Sequence, residues 1–511
     1  MSRSTSFALL ANATSLPLAE VPEWPVAEFV QRTSGELARG ARLCAWFGVP
    51  EDERTRIVSV IAFDADNTLA VARSTPLAPG ESYPALTPRH PQAHLFEREL
   101  YEQHGLVPAA HPWLKPVRLA AATDAGVRDG APRNGEFFRV DGGEIHEVAV
   151  GPVHAGVIEP GHFRFQCAGE EVLHLEIALG YQHRGVEEAL AGGPHRATMA
   201  QLETVSGDTT IAHATAHASV LEALAGDGGA EAPLRAQWLR LIALELERLA
   251  NHTGDIGALA GDVAFLPTAS ACGKIRGDFL NLTALLCGNR FGRGLVRPGG
   301  CRHDLEPARA TQLAERLRAA LADVEQAAAW LWDAASARAR FEGVGTVTGP
   351  QAAESGLVGL AARACGIVRD VRYDHPAGWH RLAQAPVAVW PGGDVFARAR
   401  VRWLEIQRSG QLILEQLESP AEGAIRTRDE TGAPLPSPAP DSLAVTLVEG
   451  WRGEVCHVAI TDATGRFRRY KIVDPSFHNW TGLALALRGQ AISDFPICNK
   501  SFNLSYCGFD L

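Results

Sequence analysis

The sequence predicts an α+β protein: a small α/β unit at the N-terminus, then a helical bundle carrying peripheral antiparallel β-elements. Three observations point there. Short alternating apolar runs bounded by Asp, Asn and Gly occur within residues 1–118. Long stretches with apolar residues at three- and four-residue steps follow from residue 170. Three further alternating runs stand after a Pro-rich break at 434–440.

In chain order, RIVSVIAFDADNTLAVARS (56–74) has the alternating β-branched pattern of paired strands. FERELYEQHG (96–105) reads as a short charged helix closed by Gly105. Residues 119–136, rich in Ala, Gly, Asp and Arg, read as a linker between a 1–118 unit and a 137–511 unit. A β-rich segment is expected from Phe137 to Cys167. Helices are expected over 170–190, 196–225, 232–260, 271–288, 305–340 and 398–418, with short connections that favour antiparallel neighbours. SLAVTLVEG, EVCHVAITDA and RFRRYKIVD then read as three strands of an antiparallel element.

With 511 residues, 46% of them hydrophobic and 21% charged, the chain can bury a core without disulfides or metals to hold it. A net charge of −11 argues against nucleic acid, which needs clustered Lys and Arg. The first residues lack the long apolar region of a secretory signal, and no stretch has the ~18 consecutive apolar residues of a membrane span. The expectation is a cytoplasmic protein that reaches a membrane only through partners. The nine cysteines are dispersed, with no C-x-x-C pair, and so read as reduced, mostly buried thiols. That spacing argues against an iron–sulfur or zinc site of ordinary type within this chain.

GPVHAGVIEPGHFRF (151–165) reads as two strands joined at Gly156–Pro160 with His154 beside the turn, where the plain reading is a surface residue. In LGYQHRGVE (179–187), His183 and Glu187 read as an i,i+4 helical pair. His213 and His217 are likewise four apart on an expected helix and form a two-ligand metal candidate with no evident third ligand. GVGTVTG (343–349) lacks the context of a dinucleotide fold and reads as a turn, so NADH would be handled only by other subunits. Glu245, Glu247 and Arg248 read as structural, and Arg466, Arg468, Arg469 and Lys471 as a solvated or subunit-facing basic edge.

Together, GPVHAGVIEPGHFRF and LGYQHRGVE resemble the opening of the large subunit of group 4, energy-converting [NiFe] hydrogenases (the hydrogenase-3/4 type), a family homologous to the 49-kDa subunit of complex I. The likeness continues through LELERLANHTGDIGAL (244–259), RFGRGLVRPGG (290–300), ARACGIVRDVRYDHP (362–376) and EGWRGEVCHV (449–458). FERELYEQHGLVPAAHPWLKP (96–116) resembles the 30-kDa subunit of complex I, fused to the large subunit in some members. The resemblance implies a 30-kDa-like unit over 1–118 and a hydrogenase-large-subunit-like unit over 137–511.

The resemblance also locates the chemistry. In active members two C-x-x-C pairs hold nickel and iron, because soft thiolates stabilise those ions. Here Ser206 and Thr209 stand at the first pair and Ser505 and Gly508 at the second, with Cys507 one residue out of register. Nickel–iron is therefore not expected. In complex I the corresponding cavity meets quinone through a histidine, matched by His154, and a tyrosine, whose place is taken by Thr204; a threonine cannot replace a phenol as proton donor. Arg452 matches an arginine kept above the metal, free here to pair with Glu203, Asp208 or a substrate anion, or to form a buried structural salt bridge. The implied function is a subunit of a membrane-associated, complex I-like oxidoreductase. Glu203, Asp208 and Arg452 are its candidates for proton or charge handling, and His154 and Thr204 for contact with a quinone-type acceptor. The implied partners are a small subunit carrying a [4Fe–4S] cluster and antiporter-like membrane subunits. The competing reading is a scaffold that has lost its chemistry.

Overall fold

The computed structural model describes residues 6–118, 137–154, 158–225, 230–427 and 437–511. The expected 119–136 linker and the Gly156 end of the first turn lie outside them.

The first unit is built on an antiparallel sheet. Strands β1 (Ala8–Leu10), β3 (Arg42–Glu51), β4 (Arg54–Phe63) and β5 (Thr68–Ser74) take the order β1-β5-β4-β3, and Glu23–Trp24 adds a short parallel edge to β5. Helices α1 (Val26–Ala38) and α2 (His94–His104) belong to the same unit. α2 stops where the sequence predicts: Gly105, at φ 66°, adopts the left-handed conformation that a side chain disfavours, and its N–H returns to the Tyr101 carbonyl. Strand β2 (Thr14–Pro17) leaves this sheet and joins the last one.

Strands β6 (Ile145–Val150), β7 (His162–Ala168) and β8 (Glu171–Ala178) form a second sheet in the order β8-β7-β6. The helix expected over 170–190 is therefore largely a strand. Its segment VLHLEIA satisfies period two as well as period 3.6, and pairing with β7 decides between them. Only Val186–Leu190 is helical, so His183 and Glu187 do not form an i,i+4 pair.

Long helices follow: α3 (Thr210–Leu224), α4 (Leu234–Asp262), α5 (Leu266–Cys287), α6 (Pro307–Asp333) and α7 (Val395–Glu418). α4 packs against α5 and α7 and is buried on nearly all sides, including its Arg240, Glu245, Glu247, Arg248 and His252. The helix expected over 196–225 is broken. Thr198–Leu202 and α3 are separated by a turn at 203–209, where Ser206, Asp208 and Thr209 bond to one another rather than continue the helical ladder. Glu247 caps α3 from α4, accepting from Ile211 N at 2.7 Å.

The final strands β9 (Ser442–Glu449), β10 (Glu454–Thr461) and β11 (Phe467–Val473) form the sheet β11-β10-β9-β2. It was expected at the periphery; instead β9 and β10 are buried along their whole length, with α3 packed on both. The near-continuous apolar and small residues of these strands suit burial on two faces. The basic run is divided: Arg466 and Arg468 are exposed, as a solvated edge requires, whereas Arg469 and Lys471 turn inward. Lys471, 1% exposed, bonds Glu99 at 2.6 Å and Glu187 at 3.0 Å, and Arg469 bonds Glu187 at 2.9 Å. Helices α8 (Pro475–Ala486) and α9 (Tyr506–Asp510) complete the fold. No helix of the described residues is long and apolar enough to cross a membrane.

Candidate functional site

The two segments where the resemblance expects cysteine pairs meet in the interior: Ser206 Oγ lies 2.9 Å from the Oγ of Ser505, 299 residues away. The 203–209 turn brings Ser206, Asp208 and Thr209; the start of α9 brings Ser505 and Gly508. Arg452 enters from the turn between β9 and β10. Its Nη1 and Nη2 donate to the two oxygens of Asp208 at 2.5 and 2.8 Å. Nη1 also approaches Thr209 Oγ1 at 3.2 Å and Ser206 Oγ at 3.4 Å, and Nε donates to the Asn503 carbonyl at 2.5 Å. The guanidinium lies over the Trp451 ring, 3.9 Å from its centroid. Burial would raise the Asp208 pKa, but Arg452 and the hydroxyls of Ser206 and Thr209 hold it below the usual carboxylate range.

The turn that presents Arg452 is braced from below. Arg248 donates to the carbonyls of Glu449 at 2.7 Å and Gly450 at 3.0 Å. It belongs to a buried cluster in which Arg248, Arg363 and Arg372 face Glu245, Asp370, Glu405 and Glu449. Glu245 and Arg248 thus have the structural role their sequence suggests. A Cβ on Gly359 would fall 2.1 Å from Gly453 Cα, so this turn packs backbone to backbone and requires glycine there.

Gly508, which the resemblance sets at the second cysteine pair, is kept small by its neighbours. A Cβ at 508 would stand 2.7 Å from both Asp474 Cγ and Oδ2 and 2.9 Å from Ser505 Oγ. The carboxylate of Asp474, which caps α8 by accepting from Ser476 N at 2.8 Å, takes up the space a longer residue would need. Hydroxyls, hydrogen and an ion pair now line the four positions, and this donor set does not fit nickel–iron. Cys507 contributes no replacement: its thiol lies 3.4 Å from Ser505 Oγ, and burial raises its pKa.

The other expected residues are placed differently. Glu203 faces away from Arg452 and accepts from Gly294 N at 2.8 Å and Arg297 Nη1 at 3.3 Å. Thr204 Oγ1 donates back to the carbonyls of Ala200 and Gln201. His154 Nε2 bonds the Gly161 carbonyl at 3.0 Å within its own loop. Gly161 in turn abuts Tyr506, which puts that loop one layer from the tail, with no bond from His154 to Asp208 or Arg452 among the described residues. The void beside Asp208, lined also by Glu247, Asn251 and Phe291, is about 10 Å³.

Residues 262–438 match the sequence model of the family described as "Respiratory-chain NADH dehydrogenase, 49 Kd subunit". The chain is 29% identical to "Formate hydrogenlyase subunit 5" of Escherichia coli (strain K12), over 83% of this chain and 76% of that one. It is 27% identical to "Hydrogenase-4 component G" of the same organism, over 86% and 78%. It is 26% identical to "NADH-quinone oxidoreductase subunit 4" of Thermus thermophilus, over 72% and 93%. The chain is a relative of the complex I 49-kDa subunit and of the group 4 hydrogenases.

Several residues of this relative's site were not legible as such in its sequence. Asp474 is one: VDP signals a helix start, but nothing local says that the cap also faces Gly508. His457 and Tyr470 are others, hidden within strands. His213 and His217 do lie on one helix, yet they share no metal geometry. His213 bonds Asp474 at 3.1 Å and His457 at 3.0 Å, while His217 bonds Tyr470 at 2.9 Å. Among the described residues no three His, Cys, Asp or Glu side chains group as a metal site. Asp510 pins the 179–183 turn to the tail by accepting from Gly180 N at 2.7 Å and Gln182 N at 2.9 Å.

Proposed function

We propose that this chain is a subunit of a membrane-associated, complex I-like oxidoreductase in which a metal-free site built on Arg452 and Asp208 handles charge and protons. The single observation that carries the reading is that bidentate pair, bonded to Ser206 and Thr209 with Ser505 behind Ser206, where the resemblance would put the family's metal. An ion pair so placed responds to charge. A [4Fe–4S] cluster in a neighbouring small subunit would supply electrons; the role of this chain's own residues would be to take up or release a proton at the Asp208 carboxylate, with Arg452 holding the ionised form. A quinone-type acceptor, on this reading, approaches from the His154 and Thr204 side of the tail. The chain sits on the inner face of the membrane through antiporter-like subunits and meets NADH at most through other subunits. Residues 1–118 supply the 30-kDa-like unit. In support, a match over 86% of the chain is more than residues 137–511 alone can provide.

A scaffold role is favoured by a different observation: His154 and Thr204 are bonded to their own backbones, and the void at Asp208 is too small for a quinone ring. The purified assembly separates the two. If the site is active, quinone reduction coupled to the assembly's own donor falls at least about tenfold in Asp208→Asn and in His154→Ala, with subunit composition unchanged. Undiminished turnover in both variants leaves only the scaffold.

A further inference from the structure

Behind Asp474 runs a line of buried side chains that the ion-pair site does not use. Asp474 Oδ2 lies 3.1 Å from His213 Nε2; His213 Nδ1 lies 3.0 Å from His457 Nε2; His457 Nδ1 lies 2.9 Å from the Tyr470 hydroxyl; and that hydroxyl lies 2.9 Å from His217 Nδ1. All five side chains are at most 1% exposed. The fold places them deliberately close: His213 and His217 are one turn apart on α3, while His457 on β10 and Tyr470 on β11 point from the same face of the sheet onto that helix. The last nitrogen, His217 Nε2, has no partner among the described residues.

We propose that His217, Tyr470, His457 and His213 form a one-proton relay that loads and unloads the Asp474–His213 pair at the floor of the Arg452–Asp208 site. The proposal rests on reading that site as one that handles charge. Its logic is a count of hydrogens. With each imidazole neutral and Asp474 ionised, one arrangement satisfies every contact: His217 Nδ1–H donates to Tyr470, Tyr470 O–H to His457 Nδ1, His457 Nε2–H to His213 Nδ1, and His213 Nε2–H to Asp474. His217 Nε2 is then a bare acceptor. A proton arriving there breaks and forms one bond at each contact: His217 gives its Nδ1 proton to Tyr470, Tyr470 its own to His457, His457 its Nε2 proton to His213. One extra proton ends on the Asp474–His213 pair, and every donor in the line is reversed. No electron or co-reactant is needed, and no charge stays on the interior members. Burial favours this neutrality: it pushes the pKa of His217 down to about 3, that of His457 well below its usual value and that of Tyr470 well above. The charged and titratable groups facing the line include Arg452, which acts on Asp474 from the β9–β10 turn, His478 on α8, which also interacts with Asp474, and Cys456 on β10, which acts on Tyr470.

Nitrogen-15 NMR of the full-length protein with labelled histidine reads this directly. In the wild type, acidification should convert His217 from the Nδ1–H to the Nε2–H tautomer and His457 from Nε2–H to Nδ1–H at one shared midpoint. In Tyr470→Phe, which keeps the ring and removes the hydroxyl, His217 should no longer follow His457. If that variant fails to fold, His217→Gln keeps a donor to Tyr470 but lacks the second nitrogen, and His457 should then hold its Nε2–H tautomer. Histidines that change independently in the wild type, or a His217 that keeps Nδ1–H throughout, would overturn the relay. Because the readout involves no acceptor, absence of quinone reduction in the assembly would defeat the functional reading while leaving this test intact.

Discussion

Arg452 is 5% exposed and Asp208 about a third exposed, so their pair is neither a surface contact nor a sealed one. Removing one partner leaves the other charge poorly solvated. Arg452→Met is expected to cost about 2 kcal/mol in urea denaturation, less than a fully buried pair because water screens Asp208. The double variant with Asp208→Leu should recover part of that loss. Glu247 gives the clearest pH signature. Burial, helped by nearby Asp208, raises its carboxyl to about 8 from 4.5, against the pull of the Ile211 and Ala212 N–H groups. The folded protein therefore keeps the proton while the unfolded chain loses it, so stability is full below about 4.5 and declines as pH climbs toward about 8. Glu247→Gln should flatten that decline, gaining on the wild type between pH 5 and pH 8 by at least ~1.4 kcal/mol, the equivalent of one pKa unit. The positions of Ser206, Thr209, Ser505, Gly508 and Arg452 were legible because each sits in a motif with fixed spacing. That Arg452 would choose Asp208 over Glu203 was not, since the choice depends on the 203–209 turn aiming neighbouring carboxylates in different directions.

At the scale of elements, the break between Thr198–Leu202 and α3 and the cap of α8 decide what the site contains. A continuous helix over 196–225 would carry Asp208 on a helical face; the turn instead lets Trp451 Nε1 and Asn251 Nδ2 hold the Asp208 carbonyl at 3.0 and 2.9 Å. The sequence read α4, α5, α6 and α7 well, because long apolar periodicity has one solution. It misread β8, where a short run fits two periods and the arbiter, β7, is supplied by tertiary pairing. It also placed the last sheet outside, because strand signals report alternation but not what covers each face. The α8 cap yields a test. Gly508→Cys puts a thiol where the resemblance expects one, yet its Cβ meets the Asp474 carboxylate. The variant is expected to lose about 1–3 kcal/mol, as overpacked interiors do, read as a lowered urea midpoint. Adding Asp474→Ala should relieve the clash while removing the α8 cap.

At the scale of the molecule, the N-terminal unit is stitched to the helical body. β2 pairs with β9, and Asn12 bonds both the N–H and the carbonyl of Leu447 at 2.8 and 2.9 Å. Arg42 bonds Glu454 at 2.6 Å, two residues beyond Arg452, and Arg118 reaches the Phe509 carbonyl at 2.8 Å. Both ends of the site, the β9–β10 turn and the tail, are thus tied to the first unit. None of these ties is local in sequence, which is why composition suggested two units without suggesting how they share the site. The central claim is that the family's metal position has been rebuilt as a hydroxyl-lined ion pair with Asp474 in place of a ligand side chain. Elemental analysis of the native assembly, purified from nickel-supplemented cells, tests it most directly. The account predicts nickel far below one ion per chain; near-stoichiometric nickel would contradict it.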